Sequence, residues 1–132
     1  MRTSPLPPVA AVVSFIDCIN RGDVQGLREL MTDDHQLVIF TEAAVVGRES
    51  NVDAWHGYAN SFPAYVIYPH LIAERDGLVA VVGHTTGSHL GLPDDRESKL
   101  TLIWLAEVIG GKLRKWQLIE DNADSRRQYG LE

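Results

Sequence analysis

The chain has 132 residues, 45% of them hydrophobic, which is enough apolar surface for one core around a small pocket, and a second domain is not expected. Eighteen acidic against twelve basic side chains leave a net charge of -6, which opposes a nucleic-acid backbone or an anionic membrane surface, so neither partner is expected. The single cysteine, Cys18, has no partner for a disulfide within the chain and lies among Phe15, Ile16 and Ile19, where it reads as a small buried hydrophobe.

Val9 to Ile16 follows Arg2 as the apolar part of a signal peptide would, but Pro5, Pro7 and Pro8 precede it and no small-x-small cleavage pattern follows. Export is therefore not expected, a reducing cytoplasm is compatible, and no apolar run approaches the roughly 20 residues that span a bilayer. Pro7 and Pro8 suit a helix start, and Val9, Val12, Val13, Ile16 and Ile19 recur at helical spacing until Gly22 can cap the end. Asp23 then caps a second short helix through Val24, Leu27, Leu30 and Met31.

After a turn at Asp33-Asp34, residues 36 to 41 read as a strand, and Val45-Val46 before Gly47 as a short strand or bend. Ser50 with Asp53 has the form of a capping box, and Val52, Trp55, Ala59 and Phe62 mark one face of a third helix that Pro63 ends. Tyr65 to Tyr68 and Leu71 to Ala73 are strand-like, Asp76-Gly77 is a turn, and a long strand runs from Leu78 to about His89, with Gly83 and Gly87 as places to bend. Leu90 to Ser98 reads as a surface loop. Thr101 to Val108 and Leu113 to Ile119 flank Gly110-Gly111, a two-residue turn that needs positive φ angles, and so form a closing hairpin. The order helix, helix, strand, helix, then a meander of strands predicts an α+β domain, with helices on one face of a curved, mainly antiparallel sheet.

The closing stretch Gly111-Lys112-Leu113-Arg114-Lys115-Trp116, then Asp121, then Gln128-Tyr129-Gly130, resembles the ending of SnoaL-like polyketide cyclases, of the nuclear-transport-factor-2-like superfamily. The resemblance extends to the Asn20-Arg21-Gly22-Asp23 corner, to Phe62-Pro63-Ala64-Tyr65, to Leu71 through Val79 and to Thr86 through Gly91, and so covers nearly the whole chain. It implies a cone-shaped fold, about three helices folded across the concave side of the sheet, and an internal pocket.

By the same resemblance Asp121 falls on the acid/base aspartate of the cyclases and His89 on a histidine near the pocket. A carboxylate in an apolar pocket would have its pKa raised toward neutrality, where it exchanges protons readily. As bland alternatives, Asp121 is a surface acid or the cap of a closing helix, and His89 bonds backbone at the start of its loop. His84 lies five residues before His89, so on an unbulged strand the two face opposite sides and a bulge at Gly87 would be needed to bring both to the pocket. Trp55, Tyr58, Phe62 and Trp104 are core aromatics by spacing and candidate ligand contacts. No spacing of His, Cys and acids suggests a metal, and no cofactor is required.

Departures from related enzymes are specific. The phenol donor, base and oxyanion acid of ketosteroid isomerases fall on Phe15, Ile39, and Ile103 or Trp104, and the epoxide-hydrolase strand reads Val82-Gly83-His84. Past the histidine, the cyclase motif is replaced by Leu92-Pro93-Asp94-Asp95-Arg96. Two readings stand together: an enzyme using Asp121 as general acid/base on an apolar carbonyl compound, by enolisation, aldol closure or isomerisation, or a non-catalytic domain that binds a small apolar ligand or dimerises. Apolar or aromatic side chains on both faces of Leu102 to Ala106 and of Leu113 to Ile119 lead to a further expectation, a homodimer packed sheet to sheet.

Overall fold

Helix α1 (Pro8–Arg21) begins and ends as its sequence dictates: Pro8 takes the first helical position, and Gly22, at φ 66°, caps the end in the left-handed conformation. The computed structural model describes residues 5–132, so Arg2 lies outside the described residues. Asp23 accepts a hydrogen bond from the Gly26 amide and caps α2 (Val24–Glu29). Met31, expected in that helix, instead opens β1 (Met31–Ile39), where its side chain is fully buried. Asp33 and Asp34 occupy an irregularity inside this strand rather than a turn before it, since the pairing of β1 with its neighbour shifts between Met31 and Gln36.

Strand β2 (Val45–Val46) precedes α3 (Arg48–Ser61), whose N-cap is Gly47 rather than the Ser50 that the capping box predicts. Asn51 does the anchoring there. Fully buried, its Nδ2 is shared among the carbonyls of His35, Val45 and Gly47 at 2.8–3.1 Å. Strand β3 (Val66–Arg75) is continuous but bulged at His70, and β4 (Leu78–Thr86) ends three residues short of His89. The predicted loop from Leu90 to Ser98 contains a further short helix, α4 (Asp94–Glu97). Strands β5 (Leu102–Ile109) and β6 (Lys112–Glu120) form the closing hairpin, with Gly110 and Gly111 at φ 58° and 79°, and α5 (Ala123–Tyr129) follows.

The six strands make one curved, unclosed sheet in the order β2-β1-β6-β5-β4-β3, antiparallel throughout except where β1 runs parallel to β6. Alternation along β4 and β5 sorts the side chains onto two faces. Val79, Val81, Trp104 and Ala106 point to the concave side and pack with Phe15, Ile16 and Ile19 of α1, with Leu27 of α2 and with Trp116 of β6. Cys18 belongs to the same core. The mixed α+β class and the cone shape therefore agree with expectation, with two short helices added.

Ala80, Val82, Ile103 and Leu105 point to the other face, where the chain's own end covers them. Gly130, at φ 71°, turns the chain out of α5, the Leu131 amide bonds the Arg126 carbonyl, and the Leu131 side chain is buried on these residues with Tyr129 beside it. The outward side chains of β4 and β5 are thus covered in part by the chain itself. Among the described residues no helix is long and apolar enough to cross a membrane.

Candidate active site

A cavity of about 550 Å³ opens between α3 and the concave face of β1, β5 and β6, with Trp116 shared between its wall and the α1 core. Its walls are mostly apolar or aromatic, with Leu37, Trp55, Tyr65, Trp116 and Leu118 among them. Its polar groups come chiefly from Tyr58, Thr85, Ser88, His89 and Glu97, and Glu42 lies at the exposed rim.

Gly87 is the pivot of that polar wall. At φ 70°, it turns the chain off the end of β4, and a Cβ there would stand 2.3 Å from the Ala64 carbonyl, so only glycine fits. The turn brings Ser88 and His89 to the cavity. The His89 amide donates to the Tyr58 hydroxyl at 3.1 Å, and the same hydroxyl lies 2.9 Å from His89 Nδ1. With the phenol donating to Nδ1, the ring proton sits on Nε2. Phe62 packs against Tyr58 and His89 from behind, outside the cavity wall.

Glu97 supplies the buried carboxylate. It is 1% exposed, Thr85 donates its hydroxyl to Oε2 at 2.5 Å, and the Ser88 amide reaches Oε1 at 3.4 Å. Burial and the nearby Glu97 charge both hold the Tyr58 phenol above its ordinary pKa, with burial the larger cause, and burial likewise raises Tyr65. The sequence offered a weak sign of α4: Pro93 before a run of acids suits a first helical turn. Nothing local marked its fourth residue as buried.

Asp121, expected to be the pocket acid, is placed otherwise. It is not in the cavity wall; Arg126 grips both its oxygens at 2.7 and 2.8 Å, and Thr101 donates a further bond at 2.5 Å. Asn122 caps α5, which sets Arg126 one turn along to reach back. The guanidinium holds the Asp121 carboxyl below its usual range, opposite to the expected rise, although its side chain is only 8% exposed.

His84 faces the convex side, stacked on Tyr68 with its Nδ1 2.7 Å from His70 Nε2, and burial together with the neighbouring imidazole lowers its pKa. Alternation explains the split, because Thr85 points inward and its neighbour must point out. Trp104 lies fully buried in the core behind the wall, its ring 6.4 Å from that of Trp116, which does line the cavity. Of the expected ligand contacts, Trp55 and Tyr58 therefore meet at the cavity with His89, expected as a catalytic residue, while His84, Trp104 and Phe62 do not line it. Glu97, Thr85, Ser88, Tyr65 and Trp116 are additions. Among the described residues no three His, Cys, Asp or Glu side chains gather as a metal site would require.

The model of the SnoaL-like domain matches residues 12–116, most of the chain. The chain belongs to the SnoaL-like domain family. This SnoaL-like chain is similar in structure to an uncharacterised cystatin-fold protein of Novosphingobium aromaticivorans (TM-score 0.75, 17% identity, covering 87% of this chain and 99% of that one). It is also similar to a proposed polyketide cyclase of Sinorhizobium meliloti (0.70, 18%, 86% and 94%) and to IdmH, a proposed polyketide cyclase of Streptomyces antibioticus (0.68, 22%, 95% and 99%). At such identities the likeness speaks for the SnoaL-like fold alone. No curated protein matches the sequence.

Proposed function

We propose that the chain is a small-molecule enzyme of the cyclase or isomerase type, acting by general acid/base chemistry on an apolar carbonyl compound, with Glu97 in the role first expected of Asp121. One observation carries the reading: a buried carboxylate in the wall of a mostly apolar cavity, beside the Tyr58–His89 pair. Membership of the SnoaL-like family and the two cyclase-described neighbours support the reaction class.

In this reading Glu97 takes a proton from the carbon next to a carbonyl, and the negative charge passes to the carbonyl oxygen. His89 donates its Nε2–H to that oxygen, held in the required tautomer by Tyr58. Return of the proton to another carbon isomerises the substrate; attack of the enolate on a second carbonyl closes a ring. Thr85 and the Ser88 amide fix the carboxylate's direction.

The test needs no natural substrate. Exchange of the α-hydrogens of 2-tetralone for deuterium in D2O, followed by proton NMR, reports the first step directly. The parent protein should accelerate exchange, Glu97→Gln should lose about 10² to 10⁴ of that acceleration, and Asp121→Asn should keep it. Parental exchange by Glu97→Gln would overturn the assignment. A second reading, a domain that binds without reacting, draws on the fact that Glu97 also ties α4 to Thr85 and Ser88; it predicts no catalysed exchange by any of the three proteins.

A further inference from the structure

Glu97 and Asp121 are both carboxylates largely shielded from water, and they differ in one respect. Asp121 has Arg126 on both oxygens, whereas Glu97, the more deeply buried residue, makes no ion pair with any described residue. Its sequence neighbours Arg96 and Lys99 are exposed and do not pair with it. Among the described residues the cavity wall contains no lysine and no arginine, and its charged side chains are Glu97 and, at the rim, Glu42. Placing a carboxylate among apolar groups is costly unless a positive charge or several donors compensate, and here Thr85 and a long bond from one amide are what the chain provides.

The rest of the wall also favours one sign of charge. Phe40, Trp55, Tyr58, Tyr65 and Trp116 present aromatic rings to a single space, and ring faces attract cations. The net charge of -6 draws cations toward the molecule and repels anions.

We propose that the ligand of this cavity is an organic cation, a protonated amine carried on an apolar ring skeleton, whose positive charge ends against Glu97. The inference rests on the cavity being the ligand site; combined with the proposed reaction it makes the substrate an amino ketone, whose ammonium lies at one oxygen of Glu97 and whose acidic carbon lies at the other. The amine supplies the charge that Arg126 supplies to Asp121, while the skeleton fills the space between the aromatic walls. A carboxylate-bearing ligand of the same shape meets two acids and no cation, and is rejected.

Three naphthalene probes of one shape and different charge decide the matter by isothermal titration calorimetry: 2-naphthylmethylamine, 2-naphthalenemethanol and 2-naphthoate. The amine should bind at least about tenfold tighter than the alcohol, and the carboxylate weaker than both. Glu97→Gln keeps an acceptor for the Ser88 amide and can donate to the Thr85 hydroxyl oxygen, but loses the charge, so it should reduce the amine to the alcohol's affinity. Equal binding of amine and alcohol by the parent overturns the proposal, as does an amine preference that survives Glu97→Gln, or no binding of any probe. If Glu97→Gln does not fold, the three probes on the parent protein still decide it. None of the probes has a hydrogen next to a ketone, so the result is independent of exchange. An amine preference without catalysed exchange removes the enzyme and keeps the cation; exchange without the preference does the reverse.

Discussion

Glu97 and Asp121 are the same functional group in different company, and the difference decides what each can do. Arg126 turns Asp121 into a fixed link between the end of β6 and α5, with its pKa held down. No residue type at either position announces this. His35 is a further case of surroundings deciding behaviour: it is fully buried, its Nδ1 lies 2.6 Å from the Leu113 carbonyl, and its Nε2 has no partner. With Nδ1–H donating, Nε2 carries no proton, and burial lowers the folded-state pKa. The unfolded chain then binds the proton more readily than the folded one. The stability contributed by neutral His35 is complete above the unfolded value of about 6.5 and declines as the pH falls from there through the lowered folded pKa. Thermal melts at pH 7.5 and pH 5.0 should show a larger drop for the parent than for His35→Gln, which can still donate to Leu113. Equal drops would mean that His35 does not titrate on unfolding.

Among the elements, α3 matters most to the site, because it carries Trp55 and Tyr58. Its entry is set by Asn51, whose amide joins β1, β2 and the first turn of the helix. An isosteric aspartate would point an acceptor at three carbonyls. Asn51→Asp should cost about 3 kcal/mol in urea unfolding at neutral pH, and a loss within about 0.5 kcal/mol would show that the clamp is unimportant. The helices with strong periodicity, the caps at Gly22 and Asp23 and the hairpin at Gly110-Gly111 were legible in the sequence, since each depends on residues close along the chain. Helix α4 was not. Four residues give no periodicity, and the burial of Glu97 depends on Thr85 and Ser88, reached only through the turn at Gly87.

Across the whole molecule, the sheet has two apolar faces with different covers. Helices α1 to α3 close the concave one, leaving the cavity, and Leu131 with Tyr129 closes part of the convex one. Leu131→Asp would place a charge on Ala80, Val82, Ile103 and Leu105. It should lower stability by about 3 kcal/mol, and the uncovered strip should increase self-association in sedimentation relative to the parent. An unchanged melt and an unchanged sedimentation profile would show that the C-terminal segment does not cover the face in solution.

From the sequence alone the α+β class and the order of most elements could be determined, because periodicity, caps and turn residues act over a few neighbouring positions, while the family and its pocket followed from the resemblance of motifs along the chain. Tertiary structure alone decided which carboxylate stands in the cavity, which histidine faces it and what covers the far side of the sheet. Those outcomes depend on partners distant in sequence: Arg126 closes one acid off, Gly87 turns His89 inward past an outward His84, and Leu131 returns across the hairpin. Electrostatics and desolvation act over a few ångströms of space, so the role of an ionisable residue is set by what the fold brings within that distance.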